Sequence, residues 1–188
     1  MRDTVRSTFK TMPVLESARL ILRAMKRDDA EDMFEYSHRD DVTKYLLWEP
    51  HPDVNYTRRY LSFATSKYKS GGFYDWAIIW KENQKMIGTC GFTTIDTKNQ
   101  SCQIGYVVNP NYQGRGIATE AVRRVTDFAF NTLGLIRVSA EYMSENSTSR
   151  RVMEKAGMKY EGTHRSCLWV KGRFESVGVC AALRSEWK

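Results

Sequence analysis

The run Ile104-Gly105-Tyr106-Val107-Val108-Asn109-Pro110-Asn111-Tyr112-Gln113-Gly114-Arg115-Gly116-Ile117-Ala118 decides how this chain is read. A strand ends at Pro110, a loop with two glycines follows, and a helix starts at once. Ala118, Ala121, Val122, Val125, Phe128 and Ala129 recur on one face of that helix, which stops at Gly134. The first N–H groups of a helix have no partner inside it and carry partial positive charge, so they suit an anion. Gly114 and Gly116 let the backbone approach that anion with no β-carbon in the way, and Arg115 adds a full charge. A plain tight turn is the other reading of Gly-x-Gly before a helix. The run is not a P-loop, since GxxxxGK[ST] is absent. It is not a dinucleotide fingerprint either, because Gly114-x-Gly116-x-x lands on Thr119 and no first βαβ unit surrounds it.

The flanking sequence supplies the rest of the architecture. Residues 73–80, 86–95 and 100–108 read as strands, joined by the polar turns Lys81-Glu82-Asn83-Gln84 and Asp96-Thr97-Lys98-Asn99. Turns that short favour an antiparallel meander. Upstream lies a strand at about 19–24, then a short helix through Ala30, Met33, Phe34 and Ser37 that Asp28 or Asp29 can cap. After Pro50 and Pro52, Asp53 can cap a second helix, in which Tyr56, Tyr60, Phe63 and Lys67 repeat until Gly71-Gly72. Downstream, 135–142 is a strand, Asn146 to Ala156 a helix closed by Gly157, and 159–170 and 173–184 two strands pivoting at Lys171-Gly172. The strand–helix–strand passage over 101–142 implies a right-handed parallel crossover within an otherwise antiparallel sheet. The fold class is mixed α/β, with no repeat and no internal linker.

Composition narrows the class further. A chain of 188 residues, 41% hydrophobic and 27% charged, suits one soluble domain over 1–188. Such a domain can hide roughly 70% of its unfolded surface without a disulfide or metal staple. No apolar run approaches the roughly 18 residues of a membrane span. Met1-Arg2-Asp3-Thr4-Val5-Arg6 leads into no apolar stretch, so a cytoplasmic protein is expected. Cys90, Cys102, Cys167 and Cys180 form no CxxC pair and read as buried thiols, while His38, His51 and His164 form no HxH or HxxxH pattern. No metal is expected.

The net charge of +7 is unevenly placed. Residues 28–41 hold seven acids against the single base Arg39, and residues 150–188 hold nine bases against four acids. No continuous basic stripe of the kind that wraps a polyanion is present, so direct nucleic-acid binding is not expected. The pattern fits a protein that receives an anion at one end and a cation at the other, or simply a solvated face. Ten aromatics lie in residues 45–80, among them Tyr45, Trp48, Tyr60, Trp76 and Trp80. Core packing is their expected role, with a minority lining a pocket.

Gln113-x-x-Gly116-x-Ala118 after a strand ending in Asn-Pro resembles the acetyl-coenzyme A signature of the GNAT acyltransferases. Asn146-Ser147-Thr148-Ser149 through Ala156-Gly157-Met158 is similar to the family's "N-x-x-S … aGf" helix. Ser17-Ala18-Arg19-Leu20-Ile21-Leu22-Arg23 and the stretch from Gly172 through Val177 to Trp187 resemble the ribosomal-protein alanine N-acetyltransferase (RimJ/RimL) branch. The resemblance covers about residues 14–187. It implies a mostly antiparallel seven-stranded sheet with one parallel, splayed strand pair, flanked by about four helices.

The resemblance also implies roles. The backbone amides of Gln113, Gly114, Arg115, Gly116, Ile117 and Ala118, with the Thr119 hydroxyl, would hold the pyrophosphate of acetyl-CoA, bound as co-substrate. Tyr106, Val107 and Val108 would form the splayed edge that pairs with the pantetheine arm. Asn146 would hydrogen-bond pantetheine, although a helix N-cap is a role it can fill anyway. Ser149, one turn later on the same face, would approach the sulfur, and Arg150 would meet the nucleotide phosphates. Many members place an acidic tyrosine seven residues after the asparagine; here that position is Met153. Either Ser149 or water then protonates the thiolate, or no acid is needed, since a thiol pKa of about 8.5 makes thiolate departure tolerable.

Glu161 stands where this branch often places a carboxylate near the acceptor amine, so it is the expected base, with a surface glutamate as the alternative. The expected partners are acetyl-CoA and an amine acceptor, either a protein N-terminus or a small amine, with the acidic segment 28–41 in the acceptor region. Dimers are frequent among similar proteins, so a homodimer is an open assembly. The expected function is acetyl-CoA-dependent N-acetyl transfer. A detoxifying antibiotic or polyamine acetyltransferase, a non-catalytic CoA-binding regulatory module, and a basic RNA- or ribosome-associated protein are the alternatives.

Overall fold

In the computed structural model, which describes residues 1–70 and 72–187, the chain runs α1 (Arg2–Thr8), β1 (Leu15–Glu16), β2 (Leu20–Arg23), α2 (Ala30–Ser37), α3 (Asp40–Thr43) and α4 (Val54–Ser70). It continues with β3 (Tyr74–Trp80), β4 (Met86–Asp96), β5 (Ser101–Val108), α5 (Ile117–Asn131), β6 (Arg137–Met143), α6 (Ser147–Ala156), β7 (Lys159–Val170) and β8 (Arg173–Leu183). The strands form one sheet in the order β1-β2-β3-β4-β5-β6-β8-β7. All neighbours are antiparallel except β5 and β6, which run parallel on either side of α5. This is the expected mixed architecture with its crossover.

The sheet has eight strands rather than seven, because the two-residue β1 pairs Leu15 with Leu22. Six α-helices replace the expected four: α1 and α3 were not read from the sequence. The helix expected from Asp28 or Asp29 opens with a 3-10 turn over Arg27–Asp29. Asp29 caps nothing in α2; it turns back to accept from Lys26 N and to pair with Arg23 at 2.7 Å. Asp53 does cap α4, accepting from Tyr56 N at 2.7 Å. Of the expected Gly71-Gly72 stop, Gly71 lies outside the described residues. The β7–β8 hairpin turns at Lys171 and Gly172, both with positive φ, as a tight two-residue connection demands.

The period-2 alternation of β3 divides the interior in two. Trp76 and Ile78 point into a core shared with α1, α5 and α6, where Trp76 meets Phe9, Phe92 and Phe128 ring to ring. Ala77 and Ile79 point the other way, into a second core with Met33 and Tyr36 of α2 and Leu61 and Ala64 of α4. The sheet therefore separates an α5–α6 face from an α2–α4 face. Cys90, Cys102 and Cys180 are buried as expected, whereas Cys167 is exposed on β7.

Candidate active site

The decisive geometry lies where the parallel pair ends. β5 and β6 are in register from Ser101↔Arg137 to Ile104↔Ala140 and no further. Beyond that point β5 continues to Val108 against β4 alone, and β6 to Met143 against β8 alone. The β6-facing backbone edge of Gly105–Val108 is thus left without a strand partner, which makes it a ready template for an added extended chain. A cavity of about 500 Å³ opens there. Tyr106, Val107, Asn146 and Ser149 of the splayed region line it, together with Tyr45, Trp48, Phe73 and Leu168. Some of the 45–80 aromatics therefore form a pocket wall, while Trp76 is fully core.

The glycine loop leads from this edge into α5. Asn109 accepts from Asn111 N at 3.0 Å, forming a 3-10 turn over Pro110–Tyr112, and Gln113 Nε2 donates to Val108 O at 2.9 Å. Gly114 and Gly116 have φ of 76° and 75°, a region that β-carbons disfavour, and Gly116 is the N-cap of α5. A β-carbon at Gly114 would meet nothing within 4 Å, so the loop's outer side is open. The first-turn amides of Ile117, Ala118 and Thr119 have no intrahelical acceptor. Arg19 fixes the loop from below: it donates to Arg115 O at 2.9 Å and pairs with Glu120 at 2.7 Å. Open amides, a helix N-terminus and an unpartnered strand edge fit the pyrophosphate and the amide-bearing arm of acetyl-CoA.

At the head of α6, Asn146 accepts from Ser149 N at 3.1 Å, so it is the helix cap and also lines the cavity. Tyr106 crosses the splay: its hydroxyl lies 2.9 Å from both Ser149 Oγ and Ser149 O. Burial pushes the Tyr106 phenol pKa up, so the group stays protonated. Met153 is fully buried in the α5–α6 core, away from the cavity lining. Arg150 is engaged with Glu154 at 2.8 Å and lies over the Tyr160 ring.

The structure does not bring Glu161 to these residues. It is absent from the cavity lining, and Arg137 donates to both its carboxylate oxygens, holding its pKa below the usual range. None of the seven acids in 28–41 lines the cavity either. Asp29 pairs with Arg23, Glu31 with Arg58, Asp32 accepts from Met86 N, and Glu35 binds Lys85, Asn109 and Asn111. Asp32 and Glu35 thus tie α2 to the start of β4 and to the entrance of the glycine loop, while Asp29 and Glu31 pair with β2 and α4.

The acidic groups of the cavity are Asp75 and Glu141, and no lysine, arginine or histidine lines it among the described residues. Asp75 sits on the α2–α4 side of β3, with the Thr89 side chain and Trp76 N beside it offsetting the effect of burial on its acidity only in part. Burial raises its pKa to about 7. Sequence reading passed over it; its only signal was a lone acid inside the aromatic strand Phe73-Tyr74-Asp75-Trp76. No group of three or more His, Cys, Asp or Glu side chains among the described residues could hold a metal ion.

Comparison with known proteins matches this geometry. Residues 19–159 fit the model of the acetyltransferase (GNAT) domain. The chain is 34% identical to the uncharacterized N-acetyltransferase p20 of Bacillus licheniformis, over 94% of this chain and 99% of that one. It is 22% identical to the ribosomal protein uS5-alanine N-acetyltransferase of Escherichia coli, over 92% of each. A GNAT-family acetyltransferase structure from Bacillus anthracis superposes with a TM-score of 0.82 at 28% identity, covering 93% of this chain and all of that one. The splayed strands and the open-amide loop thus sit in a chain that belongs to the GNAT family, and its activity is N-acetyl transfer from acetyl-CoA.

Proposed function

We propose that this enzyme acetylates the α-amine of a protein or peptide N-terminus by direct attack within a complex of both substrates. The observation that carries the reading is one cavity joining the splayed strand edge to an aromatic wall, with two carboxylates and, among the described residues, no cation on its walls. A thioester lying along Gly105–Val108 and an amine entering past Tyr45 and Trp48 would meet inside it. Likeness to a ribosomal-protein alanine N-acetyltransferase supports an α-amine acceptor. So does elementary acidity: an α-amine with pKa near 8 is neutral to roughly 10% at pH 7, a lysine amine to less than roughly 0.1%.

The parts of the site divide the chemistry. Amides of Gln113–Ala118 and the Thr119 hydroxyl neutralise the pyrophosphate, and Asn146 steadies the pantetheine arm. The Val108 N–H, on the open edge because the ladder turns Asn109 and Val107 toward β4, faces the developing oxyanion. Ser149, with the protonated Tyr106 hydroxyl against it, stands at the departing sulfur and takes the place of the family tyrosine missing at Met153. Holding the two reactants together contributes much of the rate.

The test is release of free thiol from acetyl-CoA with four acceptors: an alanine-initiated pentapeptide, an N-acetylated pentapeptide carrying one lysine, phenethylamine and spermidine. Preference for the alanine-initiated peptide supports the reading. Preference for spermidine or phenethylamine replaces it with a small-amine acetyltransferase. Acetyl-CoA binding with no thiol release from any of the four overturns the acceptor assignment and leaves a CoA-binding module.

A further inference from the structure

We propose that Asp75 and Thr89 form the proton-accepting pair for the acceptor amine, Thr89 contacting the nitrogen and Asp75 receiving the proton. This rests on the reading that the amine enters the cavity past its aromatic wall.

The sheet register places the pair. Asp75 is opposite Gly91, and Gly91 is opposite Gly105, so one row across three strands carries a carboxylate and then two residues without side chains. A β-carbon on Gly91 would clash with Asp75 Cα and Tyr74 O and lie 2.7 Å from Asp75 Oδ1, so the β3 backbone and the carboxylate together fill the space beside this glycine. In the next row on the same face, Ala77 is opposite Thr89, and Thr89 is opposite Val107 of the splayed edge. Adjacent strands are about 4.8 Å apart. The Thr89 hydroxyl, diagonal to Asp75 on the same face and lining the same cavity, therefore stands one strand from the backbone where the thioester carbonyl is expected, while Asp75 stands two strands away. Thr89 bridges a gap the carboxylate alone does not span.

The charges around the pair agree with this role. From α2 and α4 the neighbours are the phenols of Tyr36, Tyr60 and Tyr68, and from β4 the Cys90 thiol; Glu141 and Tyr142 face the same cavity from β6. Tyr68 donates to the Asp75 carbonyl and fixes that stretch of β3. No lysine, arginine or histidine among the described residues lines the cavity to compete for the carboxylate, so an incoming ammonium is its natural counter-ion. Burial raises the carboxyl to about 7, close to the operating pH at which a general base works best.

The step balances as follows. The ammonium passes one proton to Thr89 Oγ as the Thr89 hydroxyl proton moves to Asp75, leaving a neutral amine and a neutral acid. The nitrogen lone pair forms the C–N bond, the C–S bond breaks with its electron pair on sulfur, and the second N–H proton ends on the thiolate. Asp75 then returns its proton to solvent. The net products are amide, thiol and one released proton.

The experiment measures kcat/KM with the alanine-initiated pentapeptide between pH 6 and 9.5, with phenethylamine and spermidine as substitutes if the enzyme prefers them. Wild type, Asp75→Asn, Thr89→Val and Thr89→Ser are compared, with folding checked by melting and acetyl-CoA affinity by calorimetry. Asp75→Asn and Thr89→Val should each lose about 100-fold at pH 7. Raising the pH to 9.5 supplies free amine and should restore roughly tenfold of that loss, since an α-amine near pKa 8 is about 10% neutral at pH 7. Thr89→Ser, which keeps the hydroxyl, should recover most of the activity, and acetyl-CoA affinity should stay within twofold throughout. Wild-type turnover with an undiminished Asp75→Asn, or a deficit equal at every pH, overturns the pair while leaving the acceptor reading intact. Wild type that binds acetyl-CoA but acetylates none of the acceptors overturns the acceptor reading, and the pair with it.

Discussion

Asp75 gives a prediction that needs no substrate. Its pKa is raised from 3.8 to about 7, because burial disfavours the charged carboxylate. A carboxyl whose folded pKa lies above its unfolded value adds stability below the unfolded pKa and loses it as pH rises through the folded one. Between pH 5 and pH 8 the folded protein should therefore lose stability while Asp75 ionises. Two pH units lie between pH 5 and a pKa of about 7, and at about 1.36 kcal/mol per unit they give about 2.7 kcal/mol. The cavity opens to solvent, which screens part of this, so about 2 kcal/mol is the working figure. Asp75→Asn keeps the shape and removes the titration. Urea unfolding of the two proteins without acetyl-CoA at pH 5 and pH 8 isolates the difference, because every other group titrates in both. The variant should gain about 2 kcal/mol on wild type across that interval, or roughly 4–8 °C in melting temperature for a chain of this size. A wild-type-to-variant difference independent of pH would show that Asp75 titrates normally and would remove the physical basis for its acidity.

The other predictions concern the acyl-donor side and the pocket wall. Gly116→Asp puts a charge beside the proposed pyrophosphate; its β-carbon would have room, 3.7 Å from Arg19 Nη2, at the cost of backbone strain at a φ of 75°. Acetyl-CoA affinity should fall at least tenfold, about 1.4 kcal/mol, in a protein that still melts cooperatively; unchanged calorimetric binding would refute the phosphate-loop assignment. Tyr106→Phe removes the hydroxyl 2.9 Å from Ser149 Oγ, and should lower kcat about tenfold or more at unchanged acetyl-CoA affinity, with no repair at high pH. Full kcat in the variant would leave Tyr106 a purely structural contact. His51, buried between Ser37 and Thr57, has a pKa lowered by burial, so its contribution is present above its unfolded pKa of about 6.5 and fades as pH falls below it. The stability advantage of wild type over His51→Gln should shrink between pH 7.5 and 5.5; a constant advantage would mean that His51 titrates normally.

How far the sequence was legible depended on whether a feature is local. The strand–loop–helix around Gly114 and Gly116 was readable because glycine at positive φ, a helix start and an amphipathic period all act within about twenty residues. The β7–β8 hairpin was readable for the same reason. β1 was not, because two residues pair only through the tertiary contact Leu15↔Leu22. α1 carried a weak signal, Val5 and Phe9 four apart, and both are buried, Phe9 against Tyr74 and Trp76. The acidic run over 28–41 could not be resolved from sequence, because charge density says nothing about partners. Lys85, Arg23 and Arg58, far off in sequence or on another element, use up three of its carboxylates. Glu161 was placed by family resemblance, and Arg137 on the neighbouring surface claims it.

The two halves of the site differ in the same way. The acyl donor is to be held by backbone amides and a strand edge, which almost any side chains can supply provided glycines and the splay are present; that requirement writes a short pattern into sequence. On the proposed reading, the acceptor half is assembled from side chains on β3, β4, β6, β7 and the loop after α3, brought together only by the sheet. Asp75 and Thr89 are fourteen residues apart and meet because Ala77 lies opposite Thr89. No spacing rule predicts such a pair without the strand register, and a one-residue slip of either strand would turn one of the two side chains to the α5 face and part them. The family-wide chemistry therefore sits where sequence is most readable. Acceptor choice sits in the register of the meander, so substitutions at Tyr45, Trp48, Phe73 and Leu168 should change which amine is taken while acetyl-CoA affinity stays the same.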